Sequence, residues 1–286
     1  IAAQASEMAL LHRSLVLGSR RLSTRVPLSR SKYTLVLMRH GESVWNMENK
    51  FTGWYDVALS DKGNEEAAEG GAQLADEGYK FDLAYTSYLK RAINTCYHAL
   101  QATDCLWIPT IKAWKLNERH YGALTGMDKQ ETVAKHGKEQ VAIWRRSFDI
   151  PPPPVEDSSP HYPGNDSKYA AISKEELPFT ESLKTTAERV LPYWQKEIVP
   201  EIKSGKRVLI AAHGNSLRAL VMHLDGISTE DITELNIPTA TPLVYHLDED
   251  MKPIPQDGAF APLTGRYVGD QDAIRARIEG VKNQTK

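Results

Sequence analysis

Apolar runs and amphipathic stretches take turns along most of this chain, starting at Tyr33. Residues 34–38 are apolar at nearly every position, which reads as a strand buried on both faces. Residues 81–86, 207–212 and 243–247 read as further strands, the last at the far side of the sheet, and a short apolar piece surrounds Trp107 and Ile108. Between them, Ser60 or Asp61 caps a helix with acids in its first turn and a stop near Gly78. Residues 88–102, 128–147, 180–204 and 215–224 also read as helices. Strand and helix in alternation predict an α/β fold: a mainly parallel central sheet with helices on both faces. The alternation breaks at Pro151, Pro152, Pro153 and Pro154, which open a loop rich in Pro, Ser, Asp and Gly up to about Asp166. Four prolines exclude a helix there. With no repeat and no second boundary, residues 33–286 are expected to form one domain with a C-terminal tail.

Composition narrows the partners. The 286 residues are 41% hydrophobic and 25% charged, with a formal net charge of −2. That balance gives no overall pull toward nucleic acid or an anionic membrane, so an anion site must come from clustered Arg and Lys. No apolar run is long enough to span a bilayer. Cys96 and Cys105 form no C-x-x-C pair and are expected to be free thiols, buried or half-buried, in a reduced compartment. Residues 1–32 differ from the rest: Arg13, Arg20, Arg21, Arg25, Arg30 and Lys32 with six serines stand against the single acid Glu7. An Arg-rich, Ser-rich, acid-poor start matches an organellar transit peptide, which predicts a mitochondrial destination, with cytoplasm or plastid as the alternatives. The chain opens on Ile1, so a processed end whose retained arm docks on a partner is the companion expectation.

The candidate chemistry sits at two strand ends. The first strand runs into Arg39-His40-Gly41 and the late one into His213-Gly214-Asn215. In an open α/β sheet, ligands gather outside the carboxyl ends of strands. Two imidazoles delivered to one rim would both face a phosphate, with Arg39 beside the first. Arg91 falls at the start of a helix, where free N–H groups already favour anions. Arg145, Arg146 and Lys129 are further candidate cations, since guanidinium forks match phosphate and carboxylate oxygens. No metal-ligand pattern is present, so no metal is expected.

The run Arg39-His40-Gly41-Glu42-Ser43-Val44-Trp45-Asn46 with Phe51-Thr52-Gly53-Trp54 resembles the opening motif of the cofactor-dependent phosphoglycerate mutases. So do Leu116-Asn117-Glu118-Arg119-His120-Tyr121-Gly122, Trp144-Arg145-Arg146 before the prolines, and Ala212-His213-Gly214-Asn215-Ser216-Leu217-Arg218. Arg-His-Gly alone points only to the wide histidine phosphatase superfamily; the other pieces are more specific. The resemblance runs from Tyr33 to about Pro255 and implies a glycolytic and gluconeogenic isomerase. It would interconvert 3-phosphoglycerate and 2-phosphoglycerate through a phosphohistidine primed by 2,3-bisphosphoglycerate. It implies His40 as nucleophile and Glu118 as general acid and base. Arg39, Arg91 and His213 would be the phosphate clamp, with His213 as a protonated donor. Ser43, Asn46, Thr52, Gly53, Tyr121, Lys129, Arg145, Arg146, Gly214 and Asn215 match substrate-binding positions. A dimer or tetramer is expected.

Two positions depart from that family's pattern. Asp128 stands where Asn is common, beside Lys129, and Ala240 replaces a common Gly; if that position needs positive φ, the Ala is strained there. Histidine phosphatase or bisphosphoglycerate synthase activity is the alternative in the same fold. A structural subunit of a larger organellar assembly that retains the fold is the alternative of another class. Mutase behaviour requires a lid over the phosphohistidine, for which the loop 151–170 and the stretch after Gly258 are the candidates.

Overall fold

A computed structural model describes residues 32–283; the expected basic extension, up to Ser31, lies outside the described residues. The strands are β1 (Tyr33–Arg39), β2 (Leu83–Thr86), β3 (Thr110–Lys112), β4 (Val208–Ala212), β5 (Pro242–Leu247) and β6 (Arg266–Tyr267). They form one sheet of order β3-β2-β4-β1-β5-β6. The four strands from β3 to β1 are parallel; β5 pairs antiparallel with β1, and β6 pairs antiparallel with β5. The mainly parallel sheet stands, but β5 lies directly beside β1 rather than at the far side. The edge is β6, which two residues of weak pattern do not announce. The apolar piece at Trp107 is no strand: Trp107 is 80% exposed and β3 begins three residues later.

Side-chain alternation explains why the inner strands read as continuous apolar runs. Leu35 and Leu37 of β1, with Val208 and Ile210 of β4, enter one core. Val36 and Met38, with Leu209 and Ala211, enter the other. Successive strand residues face opposite sides, and both sides are covered. Helices α2 (Asp61–Asp76) and α3 (Lys90–Ala102) cover the second core through Ala67, Leu74, Cys96 and Ala99. Cys96 and Cys105 are free and buried. Helices α6 (Leu183–Tyr193), α7 (Val199–Lys203) and α8 (Gly214–Asp225) cover the first core, with Val190, Ile202 and Leu217 inward. Five residues in π-helical form, Trp194–Ile198, join α6 to α7, so the helix read over 180–204 is continuous from Leu183 to Lys203.

The remaining helices shape the rim. They are α1 (Val44–Met47), α4 (Lys129–His136), α5 (Lys138–Arg146), α9 (Thr229–Glu234) and α10 (Gln271–Asn283). The predicted helix 128–147 is two helices because Gly137, at φ 83°, breaks the ladder. Asp128 caps α4, accepting the N–H groups of Gln130 and Glu131 at 2.7 and 2.9 Å, so its carboxylate is committed to the helix. Ala240 does adopt φ 47°, the left-handed strain foreseen for a residue with a Cβ. No helix among the described residues is long and apolar enough to cross a membrane.

Candidate active site

Register brings the two His-Gly ends together. Arg39 of β1 pairs with Ala212 of β4, and the N–H of His40 donates to Ala212 O at 3.0 Å. The next residue on each strand is a histidine, and the two rings lie 5.0 Å apart between centroids. His40 Nδ1 is 2.7 Å from Gly41 O. A carbonyl only accepts, so Nδ1 carries the proton and Nε2 keeps the lone pair. Arg91 Nε donates to that Nε2 at 3.3 Å. Burial, reinforced by Arg91 and Arg39, holds the His40 pKa well below the usual histidine range. The ring is therefore neutral, the form whose nitrogen can attack phosphorus.

His213, for which the resemblance implied a protonated donor, is likewise shifted toward its neutral form in the unliganded protein. Burial pushes its pKa far down, and the Arg91, Arg189 and Arg39 guanidiniums push it further. A cationic neighbourhood expels a proton rather than attracting one.

The clamp residues are held by carbonyls. Arg91 is 1% exposed and donates to Gly53 O at 2.8 Å and Tyr55 O at 3.0 Å. Burial lowers its pKa only to about 10, so it stays charged at neutral pH. Gly53 turns that carbonyl inward at φ 54°, a conformation costly to any side chain with a Cβ. Arg39 Nη1 donates to Ile237 O at 2.8 Å. Its Nε, Thr52 Oγ1 and His213 Nδ1 are buried without partners. Arg39 and Thr52 line the cavity, and His213 lies against His40. Three unpartnered polar atoms in one place are what an anion's oxygens would satisfy.

Glu118 is fixed from two sides. Its Oε1 accepts the N–H of Arg119 at 2.7 Å, the N–H of Asn215 at 3.1 Å and Asn215 Nδ2 at 2.8 Å. With three donors on Oε1, the proton of a protonated Glu118 belongs on Oε2, the oxygen left free. The backbone beneath it is pinned by a buried ion pair, Arg189 Nε to Glu181 Oε1 at 2.6 Å. Arg189 also donates to the carbonyls of Lys115, Asn117 and Glu118. Trp54 Nε1 donates to Glu118 O as well. Removing one partner of such a pair strands a buried charge, so Arg189→Met is expected to lower unfolding stability by about 3–5 kcal/mol. Denaturant titration checks this, and a loss under about 1 kcal/mol would contradict the role given to the pair.

A second group of cations shares the cavity: Lys129, Arg145, Arg146 and Arg218. Arg91 and Arg39 act on His40; Lys129 feels Arg145 and Arg39, and Arg218 feels Arg146, Arg119 and Arg39, so Arg39 links the two ends of the set. Burial and Arg145 bring the Lys129 pKa down to about 8. Burial would raise the Tyr121 phenol, but the charge and hydrogen bond of Arg119, 4.6 Å over its ring, together with Arg145 bring it to about 8.

A sequence model of the histidine phosphatase superfamily (branch 1) matches residues 35–254. The chain belongs to that superfamily. Solved structures similar to it carry the same fold. A mycobacterial glucosyl-3-phosphoglycerate phosphatase complexed with VO3 is 20% identical, with a TM-score of 0.59 over 82% of this chain and 96% of that one. The alpha-ribazole phosphatase of Shigella flexneri is 19% identical, with a TM-score of 0.58 over 83% and 98%. Bacillus stearothermophilus YhfR is 21% identical, with a TM-score of 0.58 over 80% and 98%.

In this histidine phosphatase superfamily member, the cavity brings together thirteen of the fifteen residues singled out in the sequence: Arg39, His40, Asn46, Thr52, Gly53, Arg91, Glu118, Tyr121, Lys129, Arg145, Arg146, Gly214 and Asn215. His213 sits behind His40, fully buried. Ser43 does not reach the wall. It caps α1, its Oγ accepting Asn46 N at 3.2 Å and donating to Asn46 Oδ1 at 2.8 Å, so it acts on the site by holding Asn46. Lys50, Phe51, Arg218, Asn236 and Ile237 line the cavity without having been foreseen. Arg218 had a signal, since it lies one helical turn beyond Asn215 and shares its face. Neither lid candidate contributes to the wall among the described residues. The proline loop braces it from outside, Pro153 O accepting the N–H of Ala123. The tail pairs β6 with β5 and ties Arg277 to Glu69 of α2.

Proposed function

We propose that this protein is a phosphoglycerate mutase that moves a phosphoryl group between the two hydroxyl positions of glycerate by way of His40. The observation that carries this reading is a cavity of about 100 Å³ whose wall holds Lys129, Arg145, Arg146 and Arg218 in addition to the Arg39 and Arg91 that act on His40. A lone phosphoryl group engages the cations around His40; a substrate anionic at two or three places engages the further cations as well. The cavity takes a small molecule and not a folded partner.

His40 Nε2 attacks phosphorus, the N–P bond forming as the P–O bond breaks. Arg39 and Arg91 face the negative charge that spreads over the transferring oxygens. Glu118 Oε2 gives its proton to the departing alkoxide oxygen, and takes one from the other hydroxyl when transfer reverses. 2,3-Bisphosphoglycerate fits the same cations and would supply the phosphoryl group that loads His40. The initial rate of 3-phosphoglycerate isomerisation, measured with and without added 2,3-bisphosphoglycerate, tests the reading. Strong stimulation is expected; release of inorganic phosphate with no isomer formed would sink it.

Hydrolysis is the second reading. It is favoured by the phosphatases among the similar solved structures and by the absence of both lid candidates from the cavity wall. Water that reaches the phosphohistidine ends the cycle as inorganic phosphate.

Binding should weaken in alkali. Protonated Lys129 holds an anion, and its pKa of about 8 places its loss of charge inside the working range. The kcat/KM for phosphoglycerate, which follows the free enzyme, is expected to fall as pH rises through about 8. Lys129→Met should have a low and flatter profile across that range. A wild-type profile that stays level to about pH 9 would contradict this.

A further inference from the structure

Ser87 follows β2 and is wholly buried. Its Oγ accepts the N–H of Leu89 at 3.0 Å and lies 2.8 Å from His213 Nε2. A serine hydroxyl has one proton to donate. Among the described contacts of this hydroxyl, His213 Nε2 is the acceptor within reach. A buried O–H without an acceptor costs about 1–3 kcal/mol, so the hydroxyl donates and Nε2 accepts. The single ring proton of neutral His213 then belongs on Nδ1. That Nδ1 is the buried nitrogen with no protein partner, on a ring 5.0 Å from the nucleophile's.

We propose that Ser87 is a positioning residue that locks neutral His213 in its Nδ1–H tautomer, so that the unpartnered nitrogen is a hydrogen-bond donor to the phosphoryl group. The inference rests on the phosphoryl-transfer reading of the site for its consequence, but the tautomer itself is a property of the free protein. It also resolves how His213 assists without a positive charge. In the other tautomer the Nδ1 lone pair would face the phosphoryl oxygens and repel them. In water, neutral histidine favours Nε2–H, so the protein must impose the opposite choice, and Ser87 is the group placed to do so. Leu89 N–H orients the hydroxyl in turn. Ser216 Oγ accepts the N–H of His213 at 3.1 Å, which steadies the backbone at the start of α8.

The test is long-range proton–nitrogen NMR of the full chain with nitrogen-labelled histidine, the His213 signals assigned by their loss in His213→Gln. In the wild type, Nδ1 is expected at a protonated-nitrogen shift and Nε2 at a lone-pair shift. In Ser87→Ala the pattern is expected to move toward Nε2–H, with loading of His40 slowed by up to about 10²–10³-fold, the scale of losing one donor to the transferring group. The weak S–H donor of Ser87→Cys should give an intermediate pattern, and serves if the alanine variant does not fold. A wild-type His213 protonated at Nε2 would overturn the proposal without bearing on phosphoryl transfer. So would a Ser87→Ala protein that keeps Nδ1–H. Correct tautomers with no phosphorylation of His40 would instead remove the functional reading and leave Ser87's hold on the ring intact.

Discussion

Replacing His40 by alanine is expected to abolish the acid-labile, base-stable phosphate that 2,3-bisphosphoglycerate deposits on the protein. Turnover should fall by about four orders of magnitude or more, as when a nucleophile is removed from a site whose parts act as one unit. The expectation rests on particulars of the ring. Gly41 O fixes its proton on Nδ1, Arg91 points at Nε2, and burial keeps it neutral. His213 cannot take over, because its Nε2 is engaged by Ser87. Phosphate assays on acid- and base-treated protein distinguish a phosphohistidine from a phosphoserine. Label that persists in His40→Ala would assign the nucleophile to another residue.

The second large effect is expected at Glu118. Glu118→Gln keeps an oxygen that can accept from Arg119 N and Asn215, so the packing survives, but it has no carboxyl proton to transfer. Transfer from phosphoglycerate should drop by about 10²–10⁴-fold, the range for a lost general acid. Loading of His40 from acetyl phosphate should change little, because acetate leaves without a proton. Equal losses with both donors would mean that the substitution damaged the site at large. No loss with either would remove the acid–base role.

Most of the site was legible because its residues lie in short runs attached to strand ends. His40 and His213 each follow an apolar strand, and β1 and β4 are neighbours in register, so two distant strings of text meet at one rim. Arg91 was legible for the same reason, at the first turn of a helix that follows β2. The protonation state of His213 was not, because it depends on burial and on arginines that converge only in three dimensions. Ser87 and the pair Glu181–Arg189 act through other residues from separate parts of the chain, and no local pattern marks such a role. Ser43 was legible as part of its motif, but its bonds to Asn46 were not: a serine before a short helix is a cap first. In the fold, β6 was missed because two residues carry no period, and α4 and α5 were merged because Gly137 is a weak break in a polar helix pattern.

The account's central claim is that one phosphoryl group passes through His40 and returns to glycerate. Rapid-quench chase of radiolabelled 2,3-bisphosphoglycerate tests it most directly. The protein is loaded, unlabelled 3-phosphoglycerate is added, and the label on His40, in phosphoglycerates and in inorganic phosphate is followed with time. The predicted result is label that appears on His40 and leaves it for phosphoglycerates faster than for inorganic phosphate. Label that never appears on His40, or that leaves it for water alone, would contradict the account.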